Sequence, residues 1–98
     1  MTHLLTFHRS VVREMNEDAD DPCLWAHLVR GDERRAYEIY PGVTFAGWQA
    51  RTEVNGVERG GIHVKRENVL AKKTAWLAEI KQLRSAGWRD VKALEDQG

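Results

Sequence analysis

The pair Asn55-Gly56 is the sequence feature that most limits how this chain can fold. Both central residues of a type I′ turn need positive φ angles, which asparagine and glycine tolerate better than other residues. The segments 43–54 and 57–65 on either side carry apolar and polar residues in alternation, as half-buried strands do. The sequence therefore predicts an antiparallel hairpin that turns at Asn55-Gly56.

The apolar residues of this hairpin also predict a bulge. A two-residue turn places Trp48 opposite His63, and opposed residues share one face of a sheet. Ile62 and Val64 would then point away from Trp48. One extra residue reverses the faces of all residues that follow it, so we expect a bulge at Gly60-Gly61.

Three further strands are predicted before the hairpin. Apolar and polar residues alternate over 5–12 and over 35–40. The segment 23–30 carries apolar residues on both faces, which indicates a central strand. Turns are expected at 31–33 and at Pro41-Gly42. The strands together cover about residues 4–66.

One long helix is predicted over about residues 68–86, where apolar residues recur at helical spacing. Asn68 is the expected N-cap. Gly87 suits the left-handed position after the last turn and Trp88 the position beyond it, which together form a Schellman motif. One short turn of helix is predicted over 89–94, followed by a frayed tail.

Strands followed by a helix predict an α+β protein: a mostly antiparallel sheet of four to five strands, with the long C-terminal helix packed on one face. Its 98 residues are expected to form a single domain, 1–98. No apolar run reaches the ~18 residues of a membrane helix, and the first residues lack the layout of a signal peptide. The single cysteine, Cys23, allows no internal disulfide and is typical of a reducing, cytoplasmic location.

The sequence holds no pattern that indicates catalysis. It lacks a G-x-S-x-G elbow and a glycine-rich phosphate loop, and Cys23 lies in an apolar strand where the thiolate is disfavoured. The aspartates within 18–21 lack the glycine and distal glutamate of a calcium loop. No two histidines are four residues apart on a helix, which leaves only a metal site built from distant histidines as an alternative. We therefore expect no enzymatic activity, no cofactor and no metal.

The candidates for binding are basic, amide and aromatic side chains, most of them from the hairpin. With the bulge in place, Gln49, Arg51, His63 and Lys65 share the sheet face turned away from the helix. That face is either an ordinary solvated surface or one that reads base edges in the major groove. Trp25 is an interface anchor if its strand face is exposed and a core residue if its strand is central. The complete set of candidates is Gln49, Arg51, Arg59, His63, Lys65, Arg66 and Trp25.

Four short motifs precede the alanine-rich helix: Tyr40-Pro41-Gly42-Val43, Gly47-Trp48-Gln49-Ala50-Arg51, Asn55-Gly56 and Gly61-Ile62-His63-Val64. Together with that helix they cover about residues 37–83 and resemble the APETALA-type DNA-binding domain and its relatives, the arm-binding domains of phage integrases. The resemblance implies a three-stranded sheet with one packed helix, whose sheet face enters the major groove. It also implies that Gln49, Arg51, His63 and Lys65 read bases and that Trp48 packs on the helix.

The balance of charge favours a different partner. Fifteen basic residues offset fifteen acidic ones, which is unlike a protein that binds nucleic acid with its whole surface. We favour a non-enzymatic module that binds a protein partner as an adaptor or inhibitor, a role that suits a phage or plasmid accessory protein blocking a host system. The alternative is a regulator that binds double-stranded DNA through the exposed face of the 43–66 hairpin. An exposed edge strand allows a homodimer, and no membrane partner is expected.

Overall fold

The computed structural model describes residues 9–18, 20–42, 47–59 and 62–91. These residues form one antiparallel sheet and two helices, which confirms the predicted α+β class. The longer helix follows the sheet strands and packs on one face of the sheet. The elements in chain order are α1 (Arg9–Glu17), β1 (Leu24–Arg30), β2 (Glu33–Pro41), β3 (Trp48–Val54), β4 (Val57–Glu58), β5 (Ile62–Val64), α2 (Arg66–Ser85) and β6 (Arg89–Asp90).

The sheet of the described residues has six strands, where four or five were predicted. Their order is β4-β3-β2-β1-β6, and β5 also pairs with β3. The number is higher for two reasons. The last strand of the predicted hairpin, 57–65, is divided into β4 and β5, and β6 forms at the start of the segment 89–94, which was predicted as helix. The predicted strand 23–30 lies between two neighbours, β2 and β6.

The turn at Asn55-Gly56 has the geometry that its sequence predicts. The φ angle is 53° at Asn55 and 84° at Gly56, so both central residues are left-handed as a type I′ turn requires. The turn is also bonded to the neighbouring strand. The Asn55 amide nitrogen donates to the Arg34 carbonyl at 2.8 Å, and the Arg34 amide nitrogen donates to Asn55 Oδ1 at 2.8 Å.

The register of the hairpin shifts by one residue, as the apolar pattern predicts. Val54 opposes Val57 beside the turn, but Trp48 opposes Val64 rather than His63. One extra residue between β4 and β5 therefore brings Val64 of β5 to the face that Trp48 occupies. Gly60-Gly61, where the bulge was predicted, lies outside the described residues.

The core lies between α2 and one face of the sheet. Val69 and Ile80 of α2 are fully buried, and Trp48 and Trp76 pack against the core with part of their surface exposed. Alternation along the strands turns a second set of side chains to the opposite side, which we call the outer face. The buried core residues are Leu24, Ala26, Leu28, Tyr37, Ile39, Ala50, Val64, Val69, Ile80 and Trp88.

The N-terminal strand prediction over 5–12 is wrong where it can be compared, because Arg9–Glu17 is helical. Residues 5–8 lie outside the described residues. Met15 is buried, and Asn16 bonds both polar atoms of the Trp25 main chain: its Oδ1 accepts from the Trp25 amide at 3.1 Å, and its Nδ2 donates to the Trp25 carbonyl at 2.9 Å. The helix thus satisfies part of the edge of β1, a tertiary contact that overrides the local alternation.

The long helix begins two residues earlier than predicted and ends as predicted. Lys65 is the N-cap, with no side-chain capping bond, so the assignment of Asn68 as N-cap is wrong. At the other end the Trp88 amide donates to the Leu83 carbonyl at 3.0 Å, and Gly87 has a φ of 100°. These features confirm the Schellman motif.

Candidate binding surfaces

A network of ion pairs occupies the middle of the outer face. Glu38 is only 5% exposed, although its side chain lies on the side away from α2. His27 Nε2 is 2.6 Å from Glu38 Oε2, and Arg51 Nη1 donates to Glu38 Oε1 at 2.7 Å. The three residues come from β1, β2 and β3, so the network crosses three neighbouring strands.

Arg51 is in contact with two more carboxylates. Its Nη2 donates to Glu53, and its Nε lies 3.6 Å from Glu58 Oε1. We call the set of His27, Glu38, Arg51, Glu53 and Glu58 the outer network. The guanidinium group therefore has a carboxylate against each of its three nitrogens, and the network carries three carboxylates against one guanidinium.

Burial and pairing act in opposite directions on the ionisation of this network. Burial raises the pKa of the Glu38 carboxyl, but the hydrogen bonds and charges of His27 and Arg51 outweigh it and hold that pKa below its ordinary value. Burial likewise lowers the pKa of Arg51, but the hydrogen bond to Glu38 and the charges of Glu38, Glu58 and Tyr40 together raise it above its ordinary value. The two partners are therefore both charged at neutral pH.

Trp25 lies beside the network and is buried rather than exposed. Its ring stacks on His27 with centroids 4.2 Å apart and an angle of 12° between the planes. The residue is 8% exposed, and its indole Nε1 is buried with no hydrogen-bond acceptor among the described residues. Of the two interpretations of Trp25 made from the sequence, the structure places it in a buried position, though outside the core beneath α2.

The remaining hairpin candidates fall into two groups. Gln49 opposes His63 on one neighbouring strand and Tyr40 on the other, so Gln49 and His63 border the outer network. Arg59, Lys65 and Arg66 do not join them. All three have exposed side chains and lie near the outer edge of the hairpin and the start of α2. The structure thus divides the predicted set between the outer face and a separate basic region.

The basic region contains two tryptophans, each with a cation over its ring. The Arg66 guanidinium lies 5.6 Å from the centroid of Trp48, and the Lys72 ammonium lies 5.1 Å from the centroid of Trp76. A groove of about 430 Å³ opens beside the second pair, between α2 and the strands β2 to β4. The residues that line it are Arg35, Tyr37, Thr52, Glu53, Val54, Arg59, Lys72, Trp76 and Glu79.

Lys73, the neighbour of Lys72, is not part of this basic surface. It is 1% exposed, and its ammonium group donates to the carbonyl oxygens of Met15, Asp18 and Asp21, the last two at 2.9 and 2.6 Å. Burial lowers its pKa. The charge of Lys73 is therefore used inside the protein, where it links α2 to the end of α1.

Cys23 and the loop before it have ordinary structural contacts. The Asp21 side chain accepts from the Cys23 amide at 2.9 Å, and burial, with Asp21 nearby, raises the pKa of the Cys23 thiol to about 11. Asp18 accepts from the Asp20 amide in the same way at 2.9 Å. Over the described ranges, no three His, Cys, Asp or Glu side chains are grouped so that they could hold a metal ion.

The fold and these two surfaces define an α+β sheet-and-helix protein with a paired outer face and a basic edge. Comparisons of the chain with family models, with curated proteins and with solved structures found no match. In the part of the chain that the structure describes, neither helix has the length and apolar character that crossing a membrane requires.

Proposed function

We propose that this protein is a non-enzymatic module that binds a protein partner, as an adaptor or inhibitor, through the outer face of its sheet. The observation that supports this proposal is the outer network, in which the charge of Arg51 is already paired within the face. The high pKa of Cys23 supports the absence of a thiol nucleophile.

The outer network makes double-stranded DNA the weaker candidate for this face. DNA affinity depends on cations that displace counterions from phosphates, and base reading depends on arginine donors that are open to the major groove. Each nitrogen of the Arg51 guanidinium instead faces a carboxylate of this chain. A phosphate that approached Arg51 would also approach Glu53 and Glu58, so the net field there repels it.

A protein partner suits the same chemistry. Protein interfaces are rich in arginine and aromatic residues whose side chains are fixed before binding, because a fixed side chain loses little entropy on association. Arg51 is held by its carboxylates, and His27 is held between Trp25 and Glu38. Three carboxylates against one guanidinium leave an excess of negative charge, so we expect the partner to present basic side chains to this face.

The test compares two variants that make the same charge change on opposite sides of the sheet. Glu58→Lys alters the outer network, where the Glu58 side chain is 53% exposed beside Arg51. Asp90→Lys is the control, because the Asp90 side chain is 52% exposed, pairs with Arg84 and lies on the side of α2. Both variants and the unchanged protein are immobilised and used to capture proteins from cells of its own source.

We expect a protein that the unchanged chain and Asp90→Lys both retain and that Glu58→Lys loses by about tenfold or more, since like charges would then face each other. Titration of the purified partner by calorimetry gives the affinities. Capture that is equal for the two variants, or no protein retained above a blank surface, would contradict the proposal. Circular dichroism confirms that both variants are folded.

A further inference from the structure

Four cations that the outer network does not use lie near the outer edge of the hairpin and in the first two turns of α2. Within the described part of the chain, Arg59, Lys65, Arg66 and Lys72 make no ion pair, in contrast to Arg51. Two of the four lie over tryptophan rings that are partly exposed. We call the set of Trp48, Arg59, Lys65, Arg66, Lys72 and Trp76 the tryptophan-cation edge.

The two tryptophan-cation pairs follow one line along the molecule. Arg66 and Lys72 are six residues apart in α2, which corresponds to about 9 Å along the helix axis. On the strand beneath, Trp48 and Thr52 lie on the same face, about 13 Å apart. The edge therefore repeats the combination of an aromatic ring and a cation over a distance that exceeds one nucleotide unit of about 3.4 Å in a stacked strand.

The groove beside the second pair adds a concave site to this line. Arg59 and Lys72 lie at its rim, and the rings of Tyr37 and Trp76 meet edge to face inside it, with centroids 5.6 Å apart and an angle of 67°. Glu53 and Glu79 also line the groove, but neither pairs with these cations: Glu53 pairs with Arg51, and Glu79 accepts from the Tyr37 hydroxyl and lies 4.0 Å from Arg35. The two rim cations are thus available to an anion.

We propose that the tryptophan-cation edge binds single-stranded nucleic acid, independently of the protein partner proposed for the outer face. Bases stack on aromatic side chains while cations follow the sugar-phosphate backbone, and this combination requires no sequence preference. A groove of about 430 Å³ between a helix and a strand admits an unpaired base but not a duplex. An acidic peptide would use the cations but not the exposed parts of the two tryptophan rings.

The test uses an unlabelled oligothymidylate of about twelve nucleotides and the same oligonucleotide with a fluorescent label. We expect saturable quenching of tryptophan fluorescence at 50 mM salt, because stacked bases quench indole emission. With up to four cations on phosphates, the logarithm of affinity should fall with the logarithm of salt at a slope of about −2 to −3. That slope weakens binding by about 16- to 64-fold between 50 and 200 mM.

Two double variants that change the same charge locate the site. Arg59→Glu/Lys72→Glu removes the rim cations and should weaken binding about tenfold or more and make the salt slope about 1.4 units shallower. Arg34→Glu/Lys81→Glu reverses two exposed cations that lie outside the edge. This variant should leave the affinity and the salt slope unchanged. Thermal unfolding of both variants shows whether they are folded.

Four results would overturn the proposal. The first two are that the oligonucleotide does not bind at 50 mM salt, and that the two double variants lose affinity equally. The other two are that a duplex of the same length binds more tightly, and that polyglutamate with the same number of charges binds equally tightly. The last result would assign the edge to an acidic protein segment. None of these results depends on the Glu58→Lys capture experiment, so the two proposals fail separately.

Discussion

The buried ammonium group of Lys73 connects α2 to the end of α1. It is 1% exposed and donates to three carbonyl oxygens at and after the end of α1, those of Met15, Asp18 and Asp21. The carbonyls at the C-terminal end of a helix are unpaired and carry the negative end of its dipole. A cation there therefore both donates to these carbonyl oxygens and interacts favourably with the dipole. These bonds offset the cost of burying the charge.

The first prediction concerns this connection. Lys73→Met keeps the length of the side chain but leaves three carbonyl oxygens without their donor, so we expect a loss of about 3 kcal/mol in the free energy of unfolding. The measurement is urea denaturation. The control is Lys72→Met, at the neighbouring half-exposed lysine, for which the loss should stay below about 1 kcal/mol. Similar losses in the two variants would mean that Lys73 does not link the helices.

The second prediction concerns Glu38 and pH. The pKa of Glu38 is held below its ordinary value in the folded protein, so the unfolded chain takes up the proton first as the pH falls. The stabilisation that Glu38 provides is therefore complete above its unfolded value of about 4.5, and it is lost as the pH falls from there through the lower, folded value. Glu38→Gln cannot titrate and lacks this dependence.

Denaturation of both proteins between pH 7 and pH 3 tests this prediction. We expect the difference in unfolding free energy between the unchanged protein and Glu38→Gln to shrink as the pH falls below about 4.5. A difference that stays constant over that range would show that Glu38 ionises in the folded protein as it does in the unfolded chain.

Single residues differed in how far the sequence could predict them. The burial of Lys73 was not predicted, although it lies four residues after Val69 and seven before Ile80, on the buried stripe of α2. That spacing could have indicated its burial. Arg51 gave no comparable signal, because its contact with Glu38 depends on the register of β2 against β3, which only the folded sheet fixes.

At the scale of elements, local patterns predicted those parts whose structure depends on local chemistry. The Asn55-Gly56 turn, the one-residue shift in the hairpin and the end of α2 all follow from backbone preferences or from a buried apolar face. The helical structure of α1 does not follow from its local sequence pattern. Its segment alternates like a strand, and it is helical where Asn16 bonds the main chain of Trp25, a residue of a different element.

The third prediction tests the end of α2. Gly87 has a φ of 100°, and an added Cβ would meet only Arg30 Cδ at 3.8 Å, so Gly87→Ala brings backbone strain without a clash. We expect a loss of about 1 kcal/mol, or a fall in Tm of about 4–8 °C. Ser85→Ala, in the last turn of the same helix, is the control and should leave Tm nearly unchanged. An unchanged Tm in Gly87→Ala would contradict the assigned cap.

At the scale of the whole molecule, the overall charge is zero, but the protein has two surfaces with opposite excess charge. On the outer face, carboxylates outnumber the one guanidinium that they surround. At the tryptophan-cation edge, four cations have no carboxylate partner within the described residues. Composition alone could not predict this separation, because it arises from strand register and from the packing of α2 beside β3. Electrostatic steering would bring partners of opposite charge to the two surfaces.

The central claim is that Arg51 belongs to a network within the protein and does not serve as a DNA-binding residue. The most direct test is the affinity for a labelled, mixed-sequence duplex at 50 mM salt, measured for the unchanged protein and for the folded double variant Glu38→Gln/Arg51→Gln. This variant removes the guanidinium without leaving an unpaired buried charge. We expect affinities that agree within about twofold, because Arg51 is paired with carboxylates of this chain and donates to no phosphate or base. A loss of about tenfold or more in the variant would contradict it and would assign the outer face to DNA.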